Sequence, residues 1–105
     1  MKIAIPSIGE NLASFISGTL GRAPFIIIYD SATGGHDSIE NPGFQTQDGS
    51  GLKATEIIIL NNSDILLTKE IGRKAYSVLL TGHIKIQILK SSGTVKSAIK
   101  KYLKK

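Results

Sequence analysis

The chain contains no cysteine. That excludes disulfides, thiolate catalysis and any zinc or iron–sulfur centre held by cysteine thiolates. Histidine is scarce, with only His36 and His83 present. A metal bound by protein side chains would have to use these two together with carboxylates. Arginine occurs twice, at Arg22 and Arg73, in a chain that otherwise takes its positive charge from lysine. No apolar run is long. "PFIIIY" and "EIIIL" fall far below the ~20 residues needed to span a bilayer. Pro6, Gly9 and Glu10 cut the amino end "MKIAIPSIG" short of a secretory h-region. The expectation is a cytoplasmic chain with no membrane contact. Recognised catalytic spacings are missing too: there is no HExxH, no phosphate-loop motif, no GxGxxG and no Ser-His-Asp signal.

What is present suits one small domain over residues 1–105. Apolar residues make up 41% of the chain, enough for one core, and charged residues 20%. That core supports a monomer. The net charge is +5 with a pI near 9.6, and the excess gathers at Lys96, Lys100, Lys101, Lys104 and Lys105. Such a tail reads first as a solvated basic helix end, where lysines suit the negative pole of the dipole. The sharper alternative is an anion-attracting surface. A nucleic-acid footprint adds arginines or aromatics among its lysines, and only Tyr102 does so here. No nucleic acid is therefore expected.

Along the chain, "KIAI" (2–5) predicts a buried first strand ended by Pro6. Residues 7–22 read as a long loop. "APFIIIYD" (23–30) is the clearest strand, being β-branched and aromatic. "SATGG" turns the chain into "HDSIE" (36–40), a polar edge strand stopped by "NPG". Residues 42–51 form a second loop, and Leu52 to Asn62 predicts a helix. "DILLT" (64–68) is a buried strand. Lys69 to Thr81 places Ile71, Ala75, Val78 and Leu79 on one helical face, with Gly82 as C-terminal cap. In "HIKIQIL" (83–89), Ile84, Ile86 and Ile88 alternate as in a strand. Thr94 can cap a last helix bearing Val95, Ala98, Ile99, Tyr102 and Leu103. The order is β-β-β-α-β-α-β-α. This implies a mixed five-stranded α/β sheet with helices packed on it, its later strands parallel through right-handed crossovers.

Ligands of such sheets bind beyond the carboxyl ends of the parallel strands. That edge should collect Pro6, Ser7, Ile8 and Gly9 after strand one, and Thr19, Leu20, Gly21 and Arg22 before strand two. It should also collect Lys69 to Gly72, including Ile71, and Ser91 to Thr94, including Ser92 and Gly93. The loop "DGSG" joins them if the strand before it runs in the right direction. The set is rich in donors and poor in acceptors. Glycines let backbone N–H groups approach a ligand, helix starts favour anions, and Arg22 adds a planar fork. Arg22 is open to two readings: a counter-charge for an anion, or a structural fork tied to Glu70 or Asp30. Glu70 reads as a first-turn helix carboxylate. His36 and His83 read as structural or solvated residues.

The pieces "MKIAIPS", "LGRAPFIIIYD", "IENPG", "GSGLKA", "LLTKEIGRKAYSVL", "TGHIKIQI" and "SSGTVKSAIKKYL" carry a resemblance. Together they resemble the dinitrogenase iron–molybdenum cofactor biosynthesis family, which includes NifX-type proteins and the carboxyl-terminal part of NifB. The resemblance covers essentially the whole chain. It implies a ribonuclease-H-like three-layer α/β/α fold. It also implies a non-enzymatic role: binding or carrying an anionic metal–sulfur cluster without covalent links, either an iron–molybdenum cofactor precursor or a molybdenum–copper sulfide, alongside a partner protein in cluster assembly. Nitrogenase-associated members often carry a histidine two residues before the glycine that is Gly21 here. This chain has Thr19, a poor ligand for a soft metal, so binding would pass through Arg22, backbone amides and hydroxyls. A regulatory or interaction domain for a small anion, nucleotide or partner protein fits the same loops. A ribonuclease-H-like nuclease fits less well, since it needs carboxylates clustered over the central strands and "KIAIPS" has none.

Overall fold

Three consecutive isoleucines show how the sheet is built. Ile26 and Ile28 enter one apolar cluster, with Ala4, Leu66, Ala54, Ile58 and Leu79. Ile27 enters the other, with Ile3, Ile5, Leu67, Val95 and Ile99. A strand covered on both faces reads as an unbroken apolar run. The computed structural model describes residues 1–42 and 50–104. Its strands are β1 (Lys2–Ser7), β2 (Phe25–Asp30), β3 (His36–Glu40), β4 (Ile65–Thr68) and β5 (Lys85–Ile88), and its helices are α1 (Ser50–Leu60), α2 (Arg73–Thr81) and α3 (Val95–Leu103). The strands form one five-stranded sheet in the order β3-β2-β1-β4-β5. β1 and β2 pair antiparallel, as do β2 and β3, while β1–β4 and β4–β5 are parallel. α1 and α2 cover one face and α3 the other. This is the mixed five-stranded α/β sheet that the element order implies, in the three-layer, ribonuclease-H-like α/β/α architecture that the family resemblance implies.

Several boundaries differ from the sequence expectation, each for a physical reason. β1 runs through Pro6 instead of ending before it. Its ladder with β4 spans only Ile3 and Ala4, so the missing proline N–H falls beyond that ladder and costs no bond. β2 starts at Phe25 because Ala23 and Pro24 belong to a turn, in which the Ala23 N–H donates to the Leu20 carbonyl at 3.4 Å. α1 begins at Ser50 and ends at Leu60, two residues earlier than expected at each end, and Asn62 leaves the helix at φ 55°. β4 excludes Asp64, whose carboxylate accepts the Lys2 backbone N–H at 2.7 Å.

The largest shift is in α2, which starts at Arg73 and not at Lys69. The Glu70 carbonyl accepts both the Leu20 N–H and the Thr68 hydroxyl, each at 3.2 Å. These bonds hold residues 69–72 out of helical geometry. Ile71 and Glu70 are therefore loop residues, and Val78 is exposed where the expected helical face would bury it. After α2, Gly82 is the cap but keeps φ −81°, and the left-handed position falls to His83 at φ 63°. β5 correspondingly starts at Lys85.

Candidate functional site

Strand direction decides what meets at each edge. Ser7 lies opposite Phe25, and Phe25 opposite Glu40. The carboxyl ends of β1, β3, β4 and β5 therefore share one edge with the start of β2. At the other edge, Lys2 pairs with Asp30 and Tyr29 with His36, and His83 precedes β5. The length of β2 separates Arg22 from Asp30, which removes Asp30 as its partner. It also places His36, His83, Asp30 and Asp64 away from the loops. Among the described residues, no three His, Asp or Glu side chains come close enough to hold a metal.

At the carboxyl edge, a shallow groove of about 510 Å³ lies between the 19–22 turn and the 69–72 loop. Thr19, Leu20, Gly21, Lys69, Glu70, Ile71, Gly72 and Ile88 line it. Both walls are fixed from behind. The Leu20 N–H donates to the Glu70 carbonyl across the groove floor. Buried Asn41 spans the turn, its Nδ2 donating to the Leu20 carbonyl at 3.2 Å and the Ala23 carbonyl at 2.9 Å. The Ser17 hydroxyl donates to the Thr19 carbonyl at 3.1 Å. Arg22 is exposed on the same turn, just outside the groove lining, and has a partner of its own.

The groove faces the start of α2. Its N-cap is Gly72, in extended geometry (φ −72°, ψ 158°), with no side-chain cap. The Tyr76 N–H reaches the Gly72 carbonyl at 3.0 Å. The N–H groups of Arg73, Lys74 and Ala75 find no acceptor among the described residues. Such donors, at the positive pole of the helix dipole, suit an anion. Lys69 stands beside them, and its Nζ donates to the Ser92 hydroxyl at 2.8 Å. An ammonium has three donors, so two remain. α1 also begins here: a Cβ added at Gly51 would lie 3.4 Å from the Ala75 Cβ. Residues 48 and 49 of "DGSG" lie outside the described residues.

Thr19, Gly21, Ile71 and Gly72 thus share one groove, with Arg22 at its rim. The other sequence candidates lie elsewhere along the edge. The Ser7 hydroxyl is buried and closed on Gly9, donating to its carbonyl at 2.7 Å and accepting its N–H at 3.2 Å. Gly9 admits a close approach, since an added Cβ would sit 2.4 Å from the Ser14 Oγ. Gly93 accepts the Ile16 N–H. Thr94 caps α3 as expected, its Oγ1 accepting the Ser97 N–H at 3.1 Å.

Of the groove lining, the sequence reading brings Thr19 to Gly21 and Lys69 to Gly72 to this edge and misses Ile88, and it misses Asn41 behind the groove. Lys69 follows the carboxyl end of a buried strand, which is a legible signal. Asn41 belongs to an Asn-Pro turn pair, but its partners lie 18 and 21 residues away.

The family model for the dinitrogenase iron–molybdenum cofactor matches residues 1–105. The chain belongs to the dinitrogenase iron–molybdenum cofactor family. Among the solved structures that share its fold are two with 26% and 30% identity. One is the apo form of the orange protein from Desulfovibrio gigas, 26% identical with a TM-score of 0.92, the match covering 98% of this chain and 87% of that one. The other is a candidate NifB protein from Thermotoga, 30% identical with a TM-score of 0.86 and the same coverage of 98% and 87%. No curated protein sequence matches the chain. Among the described residues, no helix is long and apolar enough to cross a membrane.

Proposed function

We propose that this chain is a non-enzymatic carrier of an anionic metal–sulfur cluster, acting in the cytoplasm and holding its cargo non-covalently in the groove before α2. One observation within the molecule carries the reading. The uncapped start of α2, with Gly72 and three N–H donors lacking acceptors among the described residues, opens onto a groove that also offers Lys69 and the Thr19 hydroxyl. Membership of a family named for a metal–sulfur cofactor supplies the chemical class of cargo.

The donor set defines what fits. With no cysteine in the chain and both histidines at the far edge, soft metals find no ligand in the groove. A fitting cluster brings its own sulfides and meets the protein through hydrogen bonds and charge. Ile71, Leu20 and Ile88 give the polarizable sulfides an apolar wall, while the α2 amides and Lys69 balance the charge. An iron–molybdenum precursor and a molybdenum–copper sulfide both satisfy this description. The Glu70 carboxylate opposes anion binding and limits the affinity to what Lys69 and the amides overcome.

The test is an anaerobic titration of the purified chain with tetrathiomolybdate, with and without copper(I), followed by visible absorption and amide NMR. The expected result is saturable shifts at Thr19, Gly21 and Ile71 through Ala75, accompanied by a change in the molybdenum–sulfur absorption. Unchanged spectra at several-fold excess, or shifts confined to the lysine-rich end of α3, would overturn the assignment.

A further inference from the structure

The two faces of the sheet are covered unequally. α1 and α2 shield one face, with α2 packed against β5. Among the described helices, only α3 lies on the other face, and it packs over β1. Between α3 and β5 this leaves a second groove of about 520 Å³. Its floor is apolar, built from Leu67, Leu89 and Ala98. Its rim carries Lys90, Lys100, Lys101 and Lys104, and among the described residues no carboxylate lines it.

The cations are spread along the groove. Lys90 follows β5 at the carboxyl edge. Lys100 and Lys104 stand one helical turn apart on α3, which runs back towards the opposite edge. An elongated ligand with several negative charges and an apolar middle matches the spacing. One wall of the groove is also a sheet edge that no other strand pairs among the described residues. β5 is last in the strand order. The Lys85 and Leu89 N–H groups donate towards β4, to the Asp64 and Thr68 carbonyls. Strand alternation therefore turns the N–H groups of Ile86 and Ile88 outward, and Ile88 is 46% exposed.

We infer that the groove between β5 and α3 docks an extended acidic segment of a partner protein, added as a strand along β5. Its backbone pairs with Ile86 and Ile88, its apolar side chains cover Leu89 and Ala98, and its carboxylates meet the lysines. Lysines without arginines, and Tyr102 as the one aromatic in the lining, favour carboxylates over nucleic acid. Ile88 lines both grooves, and the Lys69–Ser92 hydrogen bond ties one to the other. A segment docked here stands next to the groove before α2. The docking surface itself stands on charge and shape alone and does not depend on what that groove carries.

The test uses the full chain and a short synthetic peptide with a leucine–valine centre and glutamates at both ends. Its controls are the same peptide with lysines for glutamates, a thymidine oligonucleotide, and vesicles of phosphatidylglycerol. The acidic peptide should shift amides at Ile86 to Leu89 and Ala98 to Tyr102, with binding that weakens as salt rises. Lys100→Glu combined with Lys104→Glu should lower its affinity roughly tenfold, and Lys101→Glu alone roughly threefold, since rim charges contribute modestly each. Both variants alter exposed side chains and should keep the parent amide dispersion. The inference fails if these amides stay still or if the lysine peptide binds equally well. It fails also if the oligonucleotide or the vesicles bind the same lysines more tightly than the peptide does.

Discussion

Two of the helices that begin at the carboxyl edge of the sheet, α2 and α3, begin in opposite ways. At α3, every first-turn donor has an acceptor. Val95 donates to the Ser14 carbonyl at 2.9 Å, Lys96 to the Leu12 carbonyl at 2.8 Å, Ser97 to the Thr94 hydroxyl at 3.1 Å and Ala98 to the Thr94 carbonyl at 3.2 Å. The loop after β1 lies across this helix start like a strap, and Ile16 closes it by donating to the Gly93 carbonyl. At α2, the cap is a glycine without a side chain, and three donors find no acceptor among the described residues. Orphan donors cost stability unless water or a ligand meets them. Among the described residues, the chain caps one helix start and leaves the other open. The closed start serves the fold, and the open start is where a ligand can gain.

Asn41→Ala should have the largest effect, because it acts on the wall facing the open start. It removes two hydrogen bonds and leaves the Leu20 and Ala23 carbonyls without the Asn41 amide. A loss of about 2–3 kcal/mol is expected in urea unfolding, together with weaker tetrathiomolybdate binding as the 19–22 turn loosens. A stable variant with unchanged binding would show that the turn is held by other contacts.

Thr94→Ala probes the closed start. The cap hydroxyl should contribute about 1 kcal/mol, read as a lower urea midpoint at constant m-value. Its effect on tetrathiomolybdate binding should be nil, because the hydroxyl is already occupied by Ser97. A drop in binding without a drop in stability would move the ligand to α3 and reverse the comparison.

The layout of the edge was legible in the sequence, and the difference between its two helix starts was not. Antiparallel pairing of β1 and β2 follows from a hairpin-rich first half and a βαβ-like second half, and it brings Thr19, Gly21 and Gly72 to one side. Both "EIG" and "SSGT" follow strands and stand at the start of a helical pattern. What separates them is non-local. Leu12 and Ser14 cap α3 from about 80 residues away in sequence, and Leu20 holds Glu70 from about 50 away. Pairings of that range leave no periodicity to read. The same holds for Ser7, whose hydroxyl looks available in "IPSIG" but is spent on Gly9 two residues later. It holds also for the groove beside α3. Its lysines read as a solvated helix end, because sequence cannot show that α3 sits over β1 and leaves β5 bare.

Gly72→Asp gives the smallest change in stability and the sharpest division between the two helix starts. Nothing lies within 4 Å of a Cβ added at Gly72, and its backbone is extended with negative φ, so an aspartate enters without strain. Its carboxylate would accept the first-turn N–H groups that have no acceptor among the described residues and would meet the positive end of the α2 dipole. The expected gain is about 0.5 kcal/mol, since aspartate exceeds glycine as an N-cap by only a few tenths and the dipole adds a similar amount. The same carboxylate occupies the donors proposed for the cluster and sets a like charge beside it, so tetrathiomolybdate affinity should fall roughly tenfold. Few substitutions raise stability while lowering binding, and a general loosening of the fold cannot produce that pair of signs. If Gly72→Asp left both unchanged, the α2 donors would already be satisfied by solvent, and the open start would have no bearing on the ligand.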